Sequence, residues 1–185
     1  MKIEPIGLSG CLLIEPKVFE DERGYFFESY RQDLLEEYLG YCIDFVQENQ
    51  SLSKKGVLRG IHFQAGIHAQ SKLVRVIKGA VLDVVVDLRE GSPTFLNHFS
   101  IELSSKNQKQ LFIPRGFGHA FLTLEDATIF SYKCDNYYDK DSEYGIRYDD
   151  VQIGINWSEL FQDFIVSDKD KLLPTFDQLQ GKYKW

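Results

Sequence analysis

From residue 45 to residue 138 the chain is a succession of short apolar or alternating segments, with glycine, proline, asparagine and serine between them. Residues 45–50 alternate, and residues 56–64, 72–77, 81–88, 99–103, 110–113, 120–124 and 128–133 continue the series. Many short strands at regular spacing specify a sandwich or barrel, not a helical or parallel α/β fold. Lys78-Gly79-Ala80, between two such runs, reads as a hairpin turn. In residues 81–88, Leu82, Val84, Val86 and Leu88 share one face. Val81, Asp83, Val85 and Asp87 share the other.

One member of the series organises the rest. Gly56-Val57-Leu58-Arg59-Gly60-Ile61-His62-Phe63-Gln64 reads as a strand entered and kinked by glycine. Simple alternation puts Val57, Arg59 and Ile61 on one face and Leu58, His62 and Gln64 on the other. A bulge at Gly60 would re-aim one of the two sets, and the residues alone leave both arrangements open.

The flanks differ from this core. Residues 1–20 suggest an edge strand through residues 11–14, and Asp21-Glu22-Arg23-Gly24 makes a turn feeding a strand over residues 25–30. Leu34, Leu35, Tyr38 and Leu39 have helical spacing within residues 32–39, and Gly40 suits the C-terminal cap. Helical spacing returns over residues 157–164, with Asn156 or Ser158 as N-cap. Ser167-Asp168-Lys169-Asp170 reads in isolation as a solvated loop. There is no repeat, low-complexity tract or linker, so one domain is expected: N-terminal strands and a short helix over 1–45, a core over 46–138, and a helical segment over 139–185.

A net charge of −7 without a basic run disfavours nucleic acid as a partner, though a few converging cations can still form a local anion site. The three cysteines, Cys11, Cys42 and Cys134, form no paired motif and read as buried thiols of a reducing compartment. No stretch approaches a signal peptide or a membrane span, so a cytoplasmic protein without a membrane partner is expected.

Arg59, His62, Lys72, Asp83, His119 and Tyr132 each interrupt a run that would otherwise bury cleanly. Burying six such groups in one small domain is costly unless they meet each other or a ligand. One shared cavity inside a β-barrel is the economical arrangement, and it marks a candidate active site.

Pro114-Arg115-Gly116-Phe117-Gly118-His119 contains P-x-G-x-x-H, which resembles the second motif of the cupin jelly-roll family. The implied fold is mainly β: a cupin jelly-roll barrel or sandwich with a few short peripheral helices. Cupins often bind a metal through a first-motif H-x-H pair, but here that motif reads His62-Phe63-Gln64. Gln64 is a poor substitute for imidazole, so the metal-free reading is preferred over iron or manganese held by His62, His119 and a carboxylate.

Further motifs sharpen the resemblance. Asp21-Glu22-Arg23-Gly24-Tyr25-Phe26-Phe27-Glu28, Phe45-Val46-Gln47-Glu48-Asn49-Gln50, residues 56–64, Ala69-Gln70-Ser71-Lys72-Leu73-Val74-Arg75, Ser92-Pro93-Thr94-Phe95, residues 113–121 and Gly145-Ile146-Arg147 together resemble the dTDP-4-dehydrorhamnose 3,5-epimerase family. The similarity runs from about residue 14 to residue 175. The family inverts C3 and C5 of dTDP-4-keto-6-deoxyglucose without a cofactor, giving dTDP-4-keto-L-rhamnose for surface polysaccharide assembly. Protons beside a ketone become acidic only when the enolate is stabilised, so such a site needs a base, an oxyanion partner and an acid on the opposite ring face.

By resemblance His62 is the base, Asp170 its orienting carboxylate, Lys72 the cation beside the C4 oxygen and Tyr132 the acid. The residues also admit plainer roles. Asp83 could orient His62 in place of Asp170, Asp170 could cap a loop, Tyr132 could be core, and Lys72 could lie along a strand end with its amine in water. The resemblance further implies that Arg59 contacts the diphosphate, that Gln47 and Asn49 contact nucleoside or phosphate, and that His119 lines the sugar pocket. Tyr138, Glu143 and Lys169 match other pocket positions. Arg23, Phe26 and Glu28 match base contacts that the family delivers from the neighbouring subunit, implying a homodimer with strand exchange.

Phe63 stands where the family usually has tyrosine, Tyr148 where tryptophan is common and Val151 where proline is common; Gly118 and Ala120 exchange small residues around His119. The nucleotide and the number of inverted centres are therefore open. Competing readings are an epimerase of another nucleotide 4-keto sugar such as a GDP-4-keto-heptose, a 3,4-ketoisomerase, and a non-catalytic nucleotide-sugar-binding cupin.

Overall fold

The computed structural model describes residues 1–157 and 163–185. In chain order the strands are β1 (Lys2–Pro5), β2 (Leu12–Glu15), β3 (Phe19–Asp21), β4 (Gly24–Phe26), β5 (Gln47–Ser53), β6 (Val57–Gln64) and β7 (Lys72–Lys78). They continue with β8 (Ala80–Asp87), β9 (His98–Ser104), β10 (Gln110–Ile113), β11 (Phe117–Thr123), β12 (Thr128–Cys134), β13 (Glu143–Gly145) and β14 (Ile165–Val166). The helices are α1 (Gln32–Leu39), α2 (Asp168–Lys171) and α3 (Phe176–Leu179).

Two sheets form a jelly-roll sandwich. The first runs β1-β2-β10-β7-β12-β5; the second runs β13-β6-β11-β8-β9, with β14 added in parallel to β6. Between them lies one apolar core, where Val74, Val76, Leu111 and Phe130 meet Val81, Val85, Phe117 and Phe121. The outer face of the second sheet buries Leu58, Ile61, Phe63, Val84, Val86 and Leu122 under C-terminal residues including Ile146, Trp157, Val166 and Phe176. The outer face of the first sheet places Leu12, Ile14, Leu73 and Phe112 under Leu35 of α1 and Ile43. Burial on both faces explains why most core strands read as near-continuous apolar runs.

The α1 limits agree with the apolar spacing, and Gly40 closes the helix in the left-handed region at φ 75°. Five readings are corrected. Residues 11–14 do not form an edge: β2 has β1 on one side and β10 on the other, so β1 is the edge. The strand expected over residues 25–30 is only Gly24–Phe26, paired with β3 in an exposed two-stranded hairpin. Cys42 is exposed, whereas Cys11 and Cys134 are buried free thiols.

Lys78-Gly79-Ala80 is not a hairpin turn. β7 pairs with β10 and β12, while β8 pairs with β9 and β11, so the chain crosses there from one sheet to the other. Both strands bury two faces and need a neighbour on each side, which a two-strand hairpin does not supply. Gly79 makes the corner at φ 80°, where a Cβ would lie 2.3 Å from Thr128 Oγ1. Finally, the polar tail at residues 167–170 is not a solvated loop. Ser167 accepts the Asp170 backbone N–H at 3.1 Å and starts the single turn α2, in which Asp170 is buried. The helix expected over residues 157–164 falls mainly on residues 158–162, outside the described residues. Among the described residues no helix is long and apolar enough to cross a membrane.

Candidate active site

The site is built on β6. Leu58 and Arg59 pair with Leu122 and Phe121 of β11, but His62 pairs with His119, so β6 carries one residue more than its partner across Gly60 and Ile61. Gly60 is what allows it. Its φ is +113°, and a Cβ there would lie 2.6 Å from both the Ala120 Cβ and the His119 carbonyl oxygen. The extra residue re-phases the strand: Leu58, Ile61 and Phe63 all enter the outer core. Arg59 and His62 therefore line the same cavity, and the bulge alternative is the one realised.

That cavity, about 570 Å³, opens between β5 and β6 and lies within the usual range of small-molecule sites, about 300–1,000 Å³. Five of the six strand-interrupting polar groups line it: Arg59, His62, Lys72, His119 and Tyr132. The sixth, Asp83, is wholly buried behind His119 and accepts a hydrogen bond across 2.9 Å between its Oδ2 and His119 Nε2.

The orienting carboxylate of His62 is Asp170, whose Oδ1 is 2.7 Å from His62 Nε2. Burial alone would raise the Asp170 carboxyl. The hydrogen bond and charge of His62, with the Gly60 backbone and the Ser167 side chain, instead hold it below the ordinary aspartate value. An ionised carboxylate there fixes the His62 tautomer and leaves the other ring nitrogen as a base.

Lys72, at the start of β7, projects inward with its Nζ 5.8 Å from the Tyr132 ring centroid. Burial lowers its pKa, against the raising influence of Cys134, Asp83 and Glu143. Cys134, opposite Lys72 in the ladder, keeps a neutral thiol because burial pushes its pKa up to about 11. Tyr132 comes from β12, and burial raises its phenol above the ordinary value, with Asn49 and Arg59 opposing. The His62 imidazole, the Lys72 amine and the Tyr132 phenol thus surround one space.

The remaining expected contacts divide cleanly. Gln47, Asn49, Tyr138, Glu143 and Lys169 all line the cavity. Gln47 and Asn49 share the inward face of β5 and are joined at 3.0 Å. Arg59 is held by Ser53, whose Oγ accepts from Nε and Nη2 at 3.3 Å each. Glu143 accepts from the Tyr138 hydroxyl at 3.0 Å and from Lys169 Nζ at 2.7 Å. Arg23, Phe26 and Glu28 do not line it. Arg23 pairs with Asp21, Glu28 with Arg31, and Phe26 is 67% exposed on the β3–β4 hairpin.

The sequence reading missed the supporting residues Ser53, Ser167 and the Gly60 amide. Ser53 carries a signal: Gln47, Asn49, Ser51 and Ser53 form a period-two polar face. Ser167 carries one too, since a serine three residues before an aspartate is a local cap, whereas the Gly60 amide acts on Asp170 across a long sequence separation. Among the described residues, no three His, Cys, Asp or Glu side chains are grouped to hold a metal ion.

A jelly roll enclosing a carboxylate-paired imidazole, a lysine amine and a phenol fits an acid–base isomerase of the cupin type. The chain belongs to the dTDP-4-dehydrorhamnose 3,5-epimerase family, whose sequence model matches residues 5–178. The chain is 52% identical over 169 residues to dTDP-4-dehydrorhamnose 3,5-epimerase of Salmonella typhimurium, covering 90% of this chain and 91% of that protein. Among solved structures it is similar to the dTDP-6-deoxy-D-glucose-3,5-epimerase of Legionella pneumophila in complex with dTDP-4-keto-L-rhamnose. That match has a TM-score of 0.93 and 41% identity, covering 100% of this chain and 98% of the other. It is also similar to a 3'-monoepimerase from Streptomyces bikiniensis in complex with dTDP-quinovose, at TM-score 0.90 and 31% identity, covering 95% and 88%.

Proposed function

We propose that this protein inverts C3 and C5 of dTDP-4-keto-6-deoxyglucose to give dTDP-4-keto-L-rhamnose. His62 removes the proton from the carbon beside the C4 ketone, and the electron pair moves onto the ketone oxygen as an enolate. The Lys72 ammonium stabilises that oxygen, and the Tyr132 phenol returns a proton from the opposite face. Solvent then restores the imidazole and the phenol. Base, acid and oxyanion partner all come from the chain, so the reaction as proposed needs no cofactor. The carrying observation is the His62–Asp170 pair at 2.7 Å in the cavity that Lys72 and Tyr132 also line.

Arg59, Gln47, Asn49 and His119 are proposed to hold the diphosphate, nucleoside and sugar, with Tyr138, Glu143 and Lys169 at the rim. A cytoplasmic homodimer is part of the proposal. The dimer is supported by Arg23 and Phe26 on a hairpin that exposes Phe19, Tyr25 and Phe26, and by Glu28 just beyond it, all standing away from their own cavity.

The test is deuterium incorporation from heavy water into dTDP-4-keto-6-deoxyglucose, with product configuration read by NMR. Exchange at C3 and C5 with inversion at both is the expected result, abolished in His62→Ala. Absence of exchange in the unmodified protein overturns the assignment. The similarity to the 3'-monoepimerase structure favours one second reading, inversion at C3 only, which the same spectra distinguish. Exchange only with a GDP-linked 4-keto sugar would reassign the nucleotide, a ketone moved to C3 would indicate a ketoisomerase, and binding without turnover would indicate a non-catalytic cupin.

A further inference from the structure

Gln64 occupies the position where a metal-binding cupin carries its second first-motif histidine, and the catalytic assignment gives it no work. It is 5% exposed, and its carboxamide is engaged on both sides. Nε2 donates to the His68 carbonyl at 2.8 Å and to the Tyr137 carbonyl at 3.2 Å, while Oε1 accepts the Asp139 backbone N–H at 2.7 Å. The opposite amide orientation would set the oxygen against two carbonyls and the NH₂ against an N–H, so the donor and acceptor assignment is fixed by its partners. Gln64 lines the cavity, but both of its amine hydrogens are already directed at carbonyls of the chain.

Its partners on one side bracket Tyr138, which lines the cavity rim with its hydroxyl on Glu143. The Tyr138 backbone N–H is itself donated to Gln47 Oε1 at 2.9 Å. Gln47 belongs to β5 of the first sheet and Gln64 to β6 of the second. Three consecutive residues of one connecting segment are therefore tied, through two glutamines, to both walls of the cavity.

We infer that Gln64 is a positioning residue that holds the 137–139 segment across the cavity mouth, so that Tyr138 is preset for the nucleotide sugar. The inference rests on the proposed substrate class, since dTDP is its probe. A preset rim removes an ordering cost from binding, so loss of the clamp weakens affinity through Tyr138 and not independently of it.

The experiment is a double-mutant cycle of Gln64→Met and Tyr138→Ala, read by calorimetry with dTDP on the full chain. Gln64→Met should weaken dTDP binding about tenfold in the parent and less than about twofold in the Tyr138→Ala background. Equal loss in both backgrounds, or no loss in the parent, overturns the inference. Should Gln64→Met fail to fold, hydrogen exchange in the unmodified protein decides. A protected Asp139 amide supports the clamp, and exchange at the rate of an open loop overturns it. An unmodified protein that does not bind dTDP would overturn the substrate reading instead, and the Asp139 amide would remain the test of the clamp.

Discussion

His62 and Asp170 are 108 residues apart in the chain, yet Nε2 and Oδ1 lie 2.7 Å apart. Three local devices bring them together. The Gly60 bulge turns His62 inward, β14 pairs in parallel with β6 at Val57 and Leu58, and the Ser167 cap begins the turn that delivers Asp170. The Asp170 carboxylate is buried, so its compensation by His62 is what keeps it ionised.

Replacing that carboxylate with its isostere isolates the orienting role. Asp170→Asn keeps the shape but lets the amide NH₂ face Nε2, where as a donor it selects the wrong imidazole tautomer. We predict a fall in kcat of about 10²- to 10⁴-fold. Affinity for dTDP should be unchanged if Asp170 acts through His62, to which its side chain is hydrogen-bonded. A parallel loss of dTDP affinity would show that Asp170 shapes the whole pocket instead.

The pH dependence separates the two proton-bearing groups on the far side of the cavity. Burial lowers the Lys72 pKa and raises that of Tyr132. Raising the pH therefore discharges Lys72 below the ordinary lysine range, while Tyr132 holds its proton beyond the ordinary tyrosine value. The alkaline limb of kcat/KM should follow loss of the Lys72 ammonium. In Lys72→Arg the limb should move to higher pH, at a lower plateau because a planar guanidinium does not reproduce a compact ammonium. Tyr132→Phe should retain deuterium exchange while losing inversion. A limb that stays in place in Lys72→Arg would assign it to another group.

Much of this site was legible in the chain because polar residues inside apolar strands are expensive. Arg59, Lys72, His119 and Tyr132 stood out for that reason, and they do share one cavity. The choice between Asp83 and Asp170 was not legible. It depends on which carboxylate two long-range crossings bring to which histidine, and both histidines are in fact paired. The sheet change at Gly79 was hidden similarly, since a glycine-centred corner and a glycine-centred hairpin have the same local sequence. Gln64 read as a failed metal ligand because its three backbone partners lie at residues 68, 137 and 139.

Gly60 offers a stability test coupled to function. Gly60→Ala places a methyl 2.6 Å from Ala120 Cβ at a φ of +113°. Strain and overlap of this kind cost about 1–3 kcal/mol each. We predict a lower melting temperature together with a loss of turnover larger than the folded fraction explains, because relaxing the bulge turns His62 away from Asp170. Turnover that tracks the folded population would mean that the strand holds its phase without glycine.

The β3–β4 hairpin supplies the sharpest test of the proposed dimer. Phe26 is 67% exposed and does not line its own chain's cavity, so a Phe26→Ala change in an isolated chain should leave that cavity intact. If the hairpin completes the neighbouring subunit's site, Phe26→Ala weakens dTDP binding in the assembled protein, and the defect lies on the opposite chain from the catalytic base. Mixing Phe26→Ala with inactive His62→Ala, after partial denaturation and reassociation, puts about half of the chains into mixed dimers. In each mixed dimer one site combines both defects, and the other combines an intact His62 with an intact hairpin. Activity per chain should therefore exceed the average of the two variants, because each mixed dimer holds one unimpaired site. If each cavity used only its own chain's residues, the mixture would show no more than the average of the two variants. A monomer by sedimentation would remove the shared site altogether.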